Sequence, residues 1–261
     1  MAILDVTQRG AISHLTMNAP ERLNALSDEM LAALQETLDA FAKDSSTRVI
    51  TLAGTGKAFC AGHDLRQMTA MRQAEDGGAA AFKDLFDRCA SVMARVQSMP
   101  QPVIAQVHGI ATAAGCQLVA TCDMAVAAEG TKFGVNGVNI GLFCSTPMVA
   151  LSRNIPRKQA FEMLTTGEFI SAERAQALGL VNRVVPESAL AEETTRLADL
   201  VASKLGAAVK IGKEAFYNQI AMNTADAYAY TGDVMVQNML RADTREGIDA
   251  FLEKRNPDWD Q

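Results

Sequence analysis

The stretch PVIAQVHGIATAAGCQ, from Pro102 to Gln117, decides how this chain is expected to fold. Its first part, Pro102 to Val107, is a short apolar run typical of a strand that is buried on both faces. His108 and Gly109 end that run, and the small residues from Thr112 to Gly115 suit the start of a helix. A buried strand, a glycine turn and a helix in succession predict an α/β fold.

Segments on either side repeat this alternation. Val49 to Ala53 and Met124 to Ala128 are apolar runs typical of covered strands, and Ala11 to Met17 predicts another strand. Ser27 suits the N-cap of a helix whose apolar face contains Met30, Leu34, Leu38 and Phe41. Ser171 and Gly179 bracket a short helix as its N-cap and its terminal glycine.

Helical patterns replace the strands from about Glu187 onward. The sequence therefore predicts an α/β core over residues 1–200 and a helical region over residues 201–261. Gly77 to Ala81, a glycine and alanine run after a charged stretch, is expected to form a mobile surface loop.

Composition excludes several classes of protein. The 261 residues are 49% hydrophobic, enough for one large core, and the net charge of -6 comes without a basic tract, so nucleic acid is not an expected partner. Five cysteines without a C-x-x-C pair and three scattered histidines predict neither a disulfide framework nor a metal site. No apolar stretch reaches the roughly 18 residues of a membrane span. Without a signal-like amino terminus, the expected location is cytoplasmic.

Two glycine-containing turns are the candidate functional segments. They are KAFCAGHDL, from Lys57 to Leu65, and HGIATAAGCQ, from His108 to Gln117. Each follows a predicted buried strand and could present backbone N–H groups to a ligand. Either one alone is more simply interpreted as an ordinary tight turn, because glycine turns are common.

Together, in this order and about 50 residues apart, the two turns resemble the paired segments of the crotonase (enoyl-CoA hydratase/isomerase) superfamily. The resemblance extends over nearly the whole chain. Further matching stretches are NAPERLNAL at 18–26, PVIA at 102–105, Cys122-Asp123, KFG at 132–134, LTTG at 164–167, Ala175 with Gly179-Leu180-Val181, and AFLEKR at 250–255.

The resemblance implies a fold and a ligand. The implied fold is the α/β crotonase spiral of ββα turns with a C-terminal helical trimerisation region, assembling as a homotrimer or a dimer of trimers. The implied partner is an acyl-CoA thioester, so that coenzyme A enters as part of the substrate and no cofactor is bound permanently.

By matching position, the backbone N–H groups of His63 and Ala114 are expected to form an oxyanion hole that polarises the thioester carbonyl. Many relatives carry glycine where Ala114 stands, but alanine keeps the N–H. The imidazole of His63 could act as a general base, and it could equally point away from the site.

The resemblance also assigns residues to the coenzyme. The nucleotide end is expected against Arg22, Leu23 and Ala25, while the adenine and pantetheine are expected near Ala61, Asp64 and Leu65. Phe251 and Lys254 are expected to reach the adenine and phosphate from a neighbouring subunit. Lys254 also fits a plain solvated helix charge.

The sequence departs from the family at the catalytic acids. The two glutamates that hydratases use fall on Gln117 and Gly137, and the aspartate that some isomerases use falls on Ser145. Neither glutamine nor glycine can transfer a proton at useful pH, so standard hydration is not expected. Substituting glutamate at both Gln117 and Gly137 is expected to raise crotonyl-CoA hydration if the scaffold is otherwise competent.

The same loss of acids is seen in the enoyl-CoA-hydratase-domain-containing subgroup, which the run GLFCSTP at 141–147 resembles. Cys144 or Ser145 would need an activating base to act as a nucleophile, and the sequence shows none. Three functions remain open. They are a hydratase/isomerase-family enzyme acting on a CoA thioester, a non-catalytic acyl-CoA binding or assembly protein, and a purely structural trimer.

Overall fold

Strands and helices alternate through most of residues 2–259, the part of the chain that the computed structural model describes. The strands are β1 Leu4–Arg9, β2 Ile12–Met17, β3 Val49–Gly54, β4 Val103–Val107, β5 Ile110–Thr112, β6 Met124–Ala128, β7 Lys132–Gly134, β8 Ile170–Ser171 and β9 Arg183–Val185. The helices are α1 Asp28–Phe41, α2 Leu65–Met71, α3 Ala79–Ser98, α4 Ala114–Thr121, α5 Pro147–Asn154, α6 Arg157–Thr166, α7 Ala172–Leu178, α8 Leu190–Ala202, α9 Gly206–Gln219, α10 Thr224–Met239 and α11 Ala242–Glu253. Short 3-10 helices occupy Pro20–Arg22, Asn136–Ile140 and Glu187–Ala189.

Two sheets form the centre of the fold. The larger has the strand order β1-β2-β3-β4-β6-β9, with only the β1–β2 pair antiparallel, and the smaller has the order β5-β7-β8. Along the chain, β4 enters the large sheet and β5 the small one before α4 follows. In the same way, β6 joins the large sheet and β7 joins the small one. This is the expected succession of ββα turns.

Local sequence explains the first helix. The Oγ of Ser27 accepts a hydrogen bond from the N–H of Met30 at 3.2 Å, which caps α1. Met30, Leu31, Leu34 and Leu38 are buried along one face of α1. The predicted capped helix is confirmed, and so are the Ser171 cap and the Gly179 end of α7.

The helix α3 differs from expectation. It begins at Ala79, so the small residues that predicted a loop form its first turn, after Gly77 and Gly78 in left-handed backbone conformations. The expected loop is therefore limited to the two glycines. Alanine has the highest intrinsic helix propensity, which explains why this run continues as helix.

The C-terminal helices attach to the core to different degrees. α8 packs its Leu190, Leu197 and Ala198 against the large sheet. α9 is attached to the core through the buried side chain of Lys213, which forms hydrogen bonds with Val96, Gln101 and Asp123. The segment formed by α10 and α11 instead exposes large apolar side chains, namely Tyr228, Met235, Val236, Met239, Leu240, Ile248, Phe251 and Leu252. Within residues 2–259, no helix combines the length and the hydropathy needed to cross a membrane.

Candidate active site

The two glycine-containing segments lie side by side. The N–H of Cys60 donates to the carbonyl of Ile110 at 3.2 Å, and the N–H of Thr112 donates to the carbonyl of Cys60 at 3.0 Å. Cys60 thus pairs with Ala111 of β5 in an isolated parallel bridge. These hydrogen bonds place His63 beside the amino end of α4.

Two glycines make this approach possible. A methyl carbon added to Gly115 would lie 2.1 Å from the carbonyl oxygen of Cys60, so only glycine lets α4 pack this closely. A methyl carbon added to Gly62, whose φ is +89°, would lie 3.2 Å from the amide nitrogen of Ala114. The backbone just before His63 therefore passes close to the first residue of α4, with no room for a side chain between them.

The amides of His63 and Ala114 are unpaired. Within residues 2–259, neither N–H group donates a hydrogen bond to a protein acceptor. Ala114 is the first residue of α4, where N–H groups have no partner inside the helix and the helix dipole favours negative charge. Both N–H groups are therefore available to a ligand.

Ala113 sets the direction of the second donor. It is not glycine, yet it adopts φ 50° and ψ -121°, and its own N–H is fixed to the carbonyl of Gly134 at 2.9 Å. Such a conformation costs about 1–3 kcal/mol in a residue with a Cβ. The surrounding hydrogen bonds hold the strained turn from which α4 starts.

The imidazole of His63 points into the protein. Its ring packs edge to face against Phe86 of α3, with the centroids 5.5 Å apart. Both ring nitrogens are buried, and the nearby backbone carbonyl of Leu26 partly offsets the effect of that burial on the pKa of the ring. Burial lowers the pKa of His63 below its ordinary value of 6.5, so the ring is neutral at pH 7.

This burial predicts a pH effect on stability. Since the folded protein disfavours the imidazolium, the unfolded chain binds more protons below its ordinary His pKa of 6.5, and stability falls as the pH drops from there. The free energy of unfolding, measured by urea titration across this range, is expected to fall more steeply for the wild type than for His63→Leu. Parallel curves would contradict the prediction.

Gln117 lies on the same side of α4 as Ala114, three residues further along the helix. It is 5% exposed, and its Oε1 is buried without a hydrogen-bond partner among the described residues. Side chains on a helix lean toward its amino end, so the side chain at position 117 lies over the turn of α4 that begins at Ala114. Position 117 thus carries a buried, neutral group one helical turn beyond Ala114.

Position 137 is closed. Gly137 belongs to the 3-10 helix Asn136–Ile140, which is tied to the site because the Oγ1 of Thr112 donates to the Oδ1 of Asn136 at 2.6 Å. A methyl carbon on Gly137 would lie 2.3 Å from the carbonyl oxygen of Leu142 and 2.9 Å from the Sγ of Cys144. The second glutamate position therefore has no room for a side chain, and glutamate there is expected to cost stability rather than to restore hydration.

Gly137→Ala tests this directly. The added methyl must displace the backbone at Leu142, and overpacking of this kind typically costs about 1–3 kcal/mol. Thermal unfolding should show a lower Tm for Gly137→Ala. Gly212→Ala is the matched control, because Gly212 lies in α9 with nothing within 4 Å of an added methyl. If both variants have the same Tm, the 137–144 loop accommodates the added methyl group without a loss of stability.

The cysteines of this region are inert thiols. Burial raises the pKa of Cys60 and of Cys116 to about 12, and it also raises the pKa of Cys144. A nucleophilic Cys144 would need a lowered pKa, so its surroundings oppose that role. The described residues contain no cluster of side chains that could hold a metal ion.

A second group of predicted residues meets beside these segments. The N–H of Ala61 donates to the carbonyl of Leu23 at 3.0 Å, and the guanidinium of Arg22 lies 3.6 Å from the carboxylate of Asp64. Asp64 also caps α2 by accepting from the N–H groups of Arg66 and Gln67. Leu23 and Leu65 are exposed, at 42% and 54%, and Ala25 is buried.

Asn24 fixes this group and was not predicted from the sequence. Its amide nitrogen donates to the carbonyls of Thr55 and Ala58, each at 2.8 Å, and its Oδ1 accepts from Ala19. Asn24 has φ +52°, a conformation that asparagine tolerates better than most residues. The motif N-A-L at 24–26 was the available signal.

Phe251 and Lys254 lie apart from the other predicted residues. Phe251, in α11, is 82% exposed, and the N–H of Lys254 donates to its carbonyl at 3.2 Å. No hydrogen bond or ion pair in the described part of the chain joins either residue to the group around Arg22. Their assignment to a neighbouring subunit's ligand stays a prediction.

Comparison with known proteins gives consistent matches. The sequence profile of the enoyl-CoA hydratase/isomerase family matches residues 7–261. Enoyl-CoA hydratase domain-containing protein 3, mitochondrial, from Xenopus laevis is 46% identical over 252 residues, which cover 97% of this chain and 84% of that protein. A crystal structure of an enoyl-CoA hydratase from Mycobacterium smegmatis is 51% identical, with a TM-score of 0.95 and 99% of both chains covered. The crystal structure of human enoyl-CoA hydratase domain-containing protein 3 is 44% identical, with a TM-score of 0.93, and covers 98% of this chain and 100% of that one.

These relatives correct the expected location. The proteins from Xenopus laevis and Homo sapiens are named mitochondrial, so the expectation of a cytoplasmic protein is wrong. That expectation came from the lack of a recognisable targeting pattern at the amino terminus.

Proposed function

Because this chain belongs to the enoyl-CoA hydratase/isomerase family, with the crotonase fold and with relatives in the hydratase-domain-containing subgroup, we propose that it binds an acyl-CoA thioester and polarises its carbonyl. The proposal rests on the amides of His63 and Ala114, which donate to no protein acceptor within residues 2–259 and lie on two segments that Gly62 and Gly115 allow to pack closely. A thioester oxygen that accepts from both becomes more negative, and its carbonyl carbon more electrophilic.

The same pair would stabilise an enolate. When negative charge moves from the α-carbon to the thioester oxygen, the two N–H groups and the amino end of α4 oppose it with partial positive charge. Each such donor typically contributes about a hundred- to a thousandfold in rate. Cys116, two residues beyond Ala114 in α4, is fully buried, and low polarity strengthens such electrostatic interactions.

The coenzyme would occupy the surface around Arg22, Leu23 and Ala25 together with Ala61, Asp64 and Leu65. Arg22 offers a half-exposed guanidinium that is only loosely paired with Asp64, so it can contact a phosphate. Exposed Leu23 and Leu65 offer apolar contact to an adenine ring.

Phe251 and Lys254 would complete that site in a homotrimer or a dimer of trimers. The exposed apolar side chains of α10 and α11 favour such assembly, because surfaces of this kind usually mark an interface.

Acetoacetyl-CoA tests the proposal without knowledge of the natural substrate. The enolate of this β-ketothioester absorbs in the near ultraviolet, so its amount can be followed as the pH is raised. Binding to a working oxyanion hole should lower the apparent pKa of the ligand by about two units, the equivalent of about 2.7 kcal/mol. Absence of binding in calorimetry would contradict the proposal as a whole.

A non-catalytic acyl-CoA binder is the second candidate, and a specific observation favours it. Gln117 is neutral and position 137 is closed by Leu142 and Cys144, so the usual pair of proton-transferring groups is absent from these positions. Tight binding of acetoacetyl-CoA without conversion of any enoyl-, dienoyl- or malonyl-type thioester would select this candidate.

A further inference from the structure

We propose that the cavity between the carboxyl end of α1 and the amino end of α9 is a second ligand site, which binds small sugar phosphates that carry two phosphate groups. The cavity has a volume of about 700 Å³, within the range of sites for small molecules. It is lined by three segments of the chain, namely residues 42–48, Pro100 with Gln101, and Gly206, Ala207, Val209 and Lys210. This site does not depend on the acyl-CoA function.

The cavity lies at the opposite edge of the large sheet from the candidate active site. Arg48 directly precedes β3 and Gln101 lies two residues before β4, so the cavity meets the amino ends of these parallel strands. The segments with His63 and Ala114 follow the carboxyl ends of the same strands. Since β4 is five residues long, the two places are separated by about 16 Å of strand. A ligand in the cavity therefore leaves the amides of His63 and Ala114 free.

The lining of the cavity carries an excess of positive charge. Its three cationic side chains are Lys43, Arg48 and Lys210. Lys43 and Lys210 are exposed, and neither takes part in an ion pair within residues 2–259. Asp44 is the one acid among the described lining residues, and its carboxylate already accepts hydrogen bonds from two neighbouring hydroxyl groups. Such a lining favours phosphate groups, which form charge-assisted hydrogen bonds with lysine and arginine.

The amino end of α9 adds to this positive charge. The helix has no side-chain cap and no acidic residue in its first turn, so that turn supplies no negative charge against the helix dipole. Arg48 lies alongside, since a methyl carbon added to Gly206 would lie 3.8 Å from its Cδ. The Nη1 of Arg48 donates to the carbonyl of Ala202, the last residue of α8, at 3.0 Å, which holds the guanidinium beside α9. A phosphate group can contact the guanidinium and the helix end together.

Gln101 gives the cavity a polar wall. Its Nε2 donates to the carbonyls of Phe41, Asp44 and Thr47, which fixes the segment that carries Lys43. The side chain is 4% exposed, and its Oε1 is buried without a hydrogen-bond partner among the described residues. An unsatisfied buried acceptor is costly, and a hydroxyl group that enters the cavity would donate to it. Cations for phosphate and an acceptor for a hydroxyl group together favour a sugar phosphate.

Calorimetric titration of the full-length protein with fructose 1,6-bisphosphate, in about 0.1 M NaCl, tests the site. The wild type should bind with a Kd below about 1 mM. The double variant Lys43→Gln/Lys210→Gln should bind at least about tenfold more weakly, because two of the three cations are gone. Lys132→Gln/Lys158→Gln, which removes two exposed lysines outside the cavity, should stay within about twofold of the wild type.

Hexane-1,6-diol bisphosphate is the matched ligand, because it carries two phosphate groups on a six-carbon chain but no hydroxyl group. It should bind the wild type at least about fivefold more weakly than fructose 1,6-bisphosphate, as expected for the loss of one hydrogen bond to a buried acceptor. Equal affinity for the two ligands would overturn the assignment of a ligand hydroxyl to Gln101.

Two other results would overturn the site as a whole. One is no binding of fructose 1,6-bisphosphate up to about 10 mM. The other is an equal loss of affinity in the two double variants, which would show a response to net charge alone. Neither result bears on the proposed acyl-CoA function, because binding of acetoacetyl-CoA tests that function separately.

Discussion

Replacing Ala114 with proline is expected to remove most of the enolate stabilisation of bound acetoacetyl-CoA. Proline lacks the N–H group and is tolerated at the first position of a helix, which is the position Ala114 holds in α4. The lost donor should raise the apparent pKa of the bound ligand by about two units and reduce any turnover by about a hundred- to a thousandfold. The near-ultraviolet pH titration measures the first effect.

Ala114→Gly is the matched control, because glycine keeps the N–H and only removes a methyl that is buried. Its titration should follow that of the wild type. Circular dichroism and Tm must be similar for the two variants, so that a difference in the titration reports the N–H rather than the fold. If the proline and glycine variants stabilise the enolate equally, Ala114 is not an oxyanion donor.

Lys213→Met, which replaces a buried ammonium in α9 with an apolar side chain, is expected to be strongly destabilising. The Nζ of Lys213 donates to the carbonyls of Val96 and Gln101, each at 2.8 Å, and to the Oδ2 of Asp123 at 2.7 Å. Asp123 also accepts from the N–H of Val103 and from the hydroxyl of Tyr217. Burial lowers the pKa of Lys213, and the charge of Asp123 opposes that shift.

Removing the ammonium leaves the carboxylate of Asp123 buried without its counter-charge, which typically costs about 3–5 kcal/mol. Urea unfolding should show this loss for Lys213→Met. Lys210→Met, on the exposed face of the same helix, should change the free energy of unfolding by less than about 0.5 kcal/mol. A small effect at Lys213 would mean that water replaces the ammonium.

Much of the framework was predictable from local patterns. The apolar runs at 49–53, 102–107 and 124–128 are strands, since a strand covered on both faces needs apolar side chains on both sides. The capped helix after Ser27 followed from one hydroxyl and a helical period of apolar residues. The start of α3 at Ala79 was missed, because two glycines in front of it looked like the beginning of a loop.

The site was predictable only in part. The pairing of the segments around His63 and Ala114 came from a family resemblance, because two turns about 50 residues apart carry no local signal of contact. The sequence showed that position 137 lacks a glutamate, but not that Leu142 and Cys144 fill its place, since this depends on the path of the 137–144 loop. The Lys213–Asp123 contact joins residues that are 90 positions apart, and no periodicity reports such a pair.

The short helix α4 has consequences for how this protein can change. Eight residues at about 1.5 Å each give a rod only about 12 Å long, with the candidate ligand-binding amide at one end and Asp123 just beyond the other. Because only about two turns of helix separate the two ends, a mutation that loosens the contact between Lys213 and Asp123 is expected to shift the amide of Ala114 as well. Thermal stability and ligand affinity would therefore depend on the same few residues. A mutation that changes one of these properties would usually change the other.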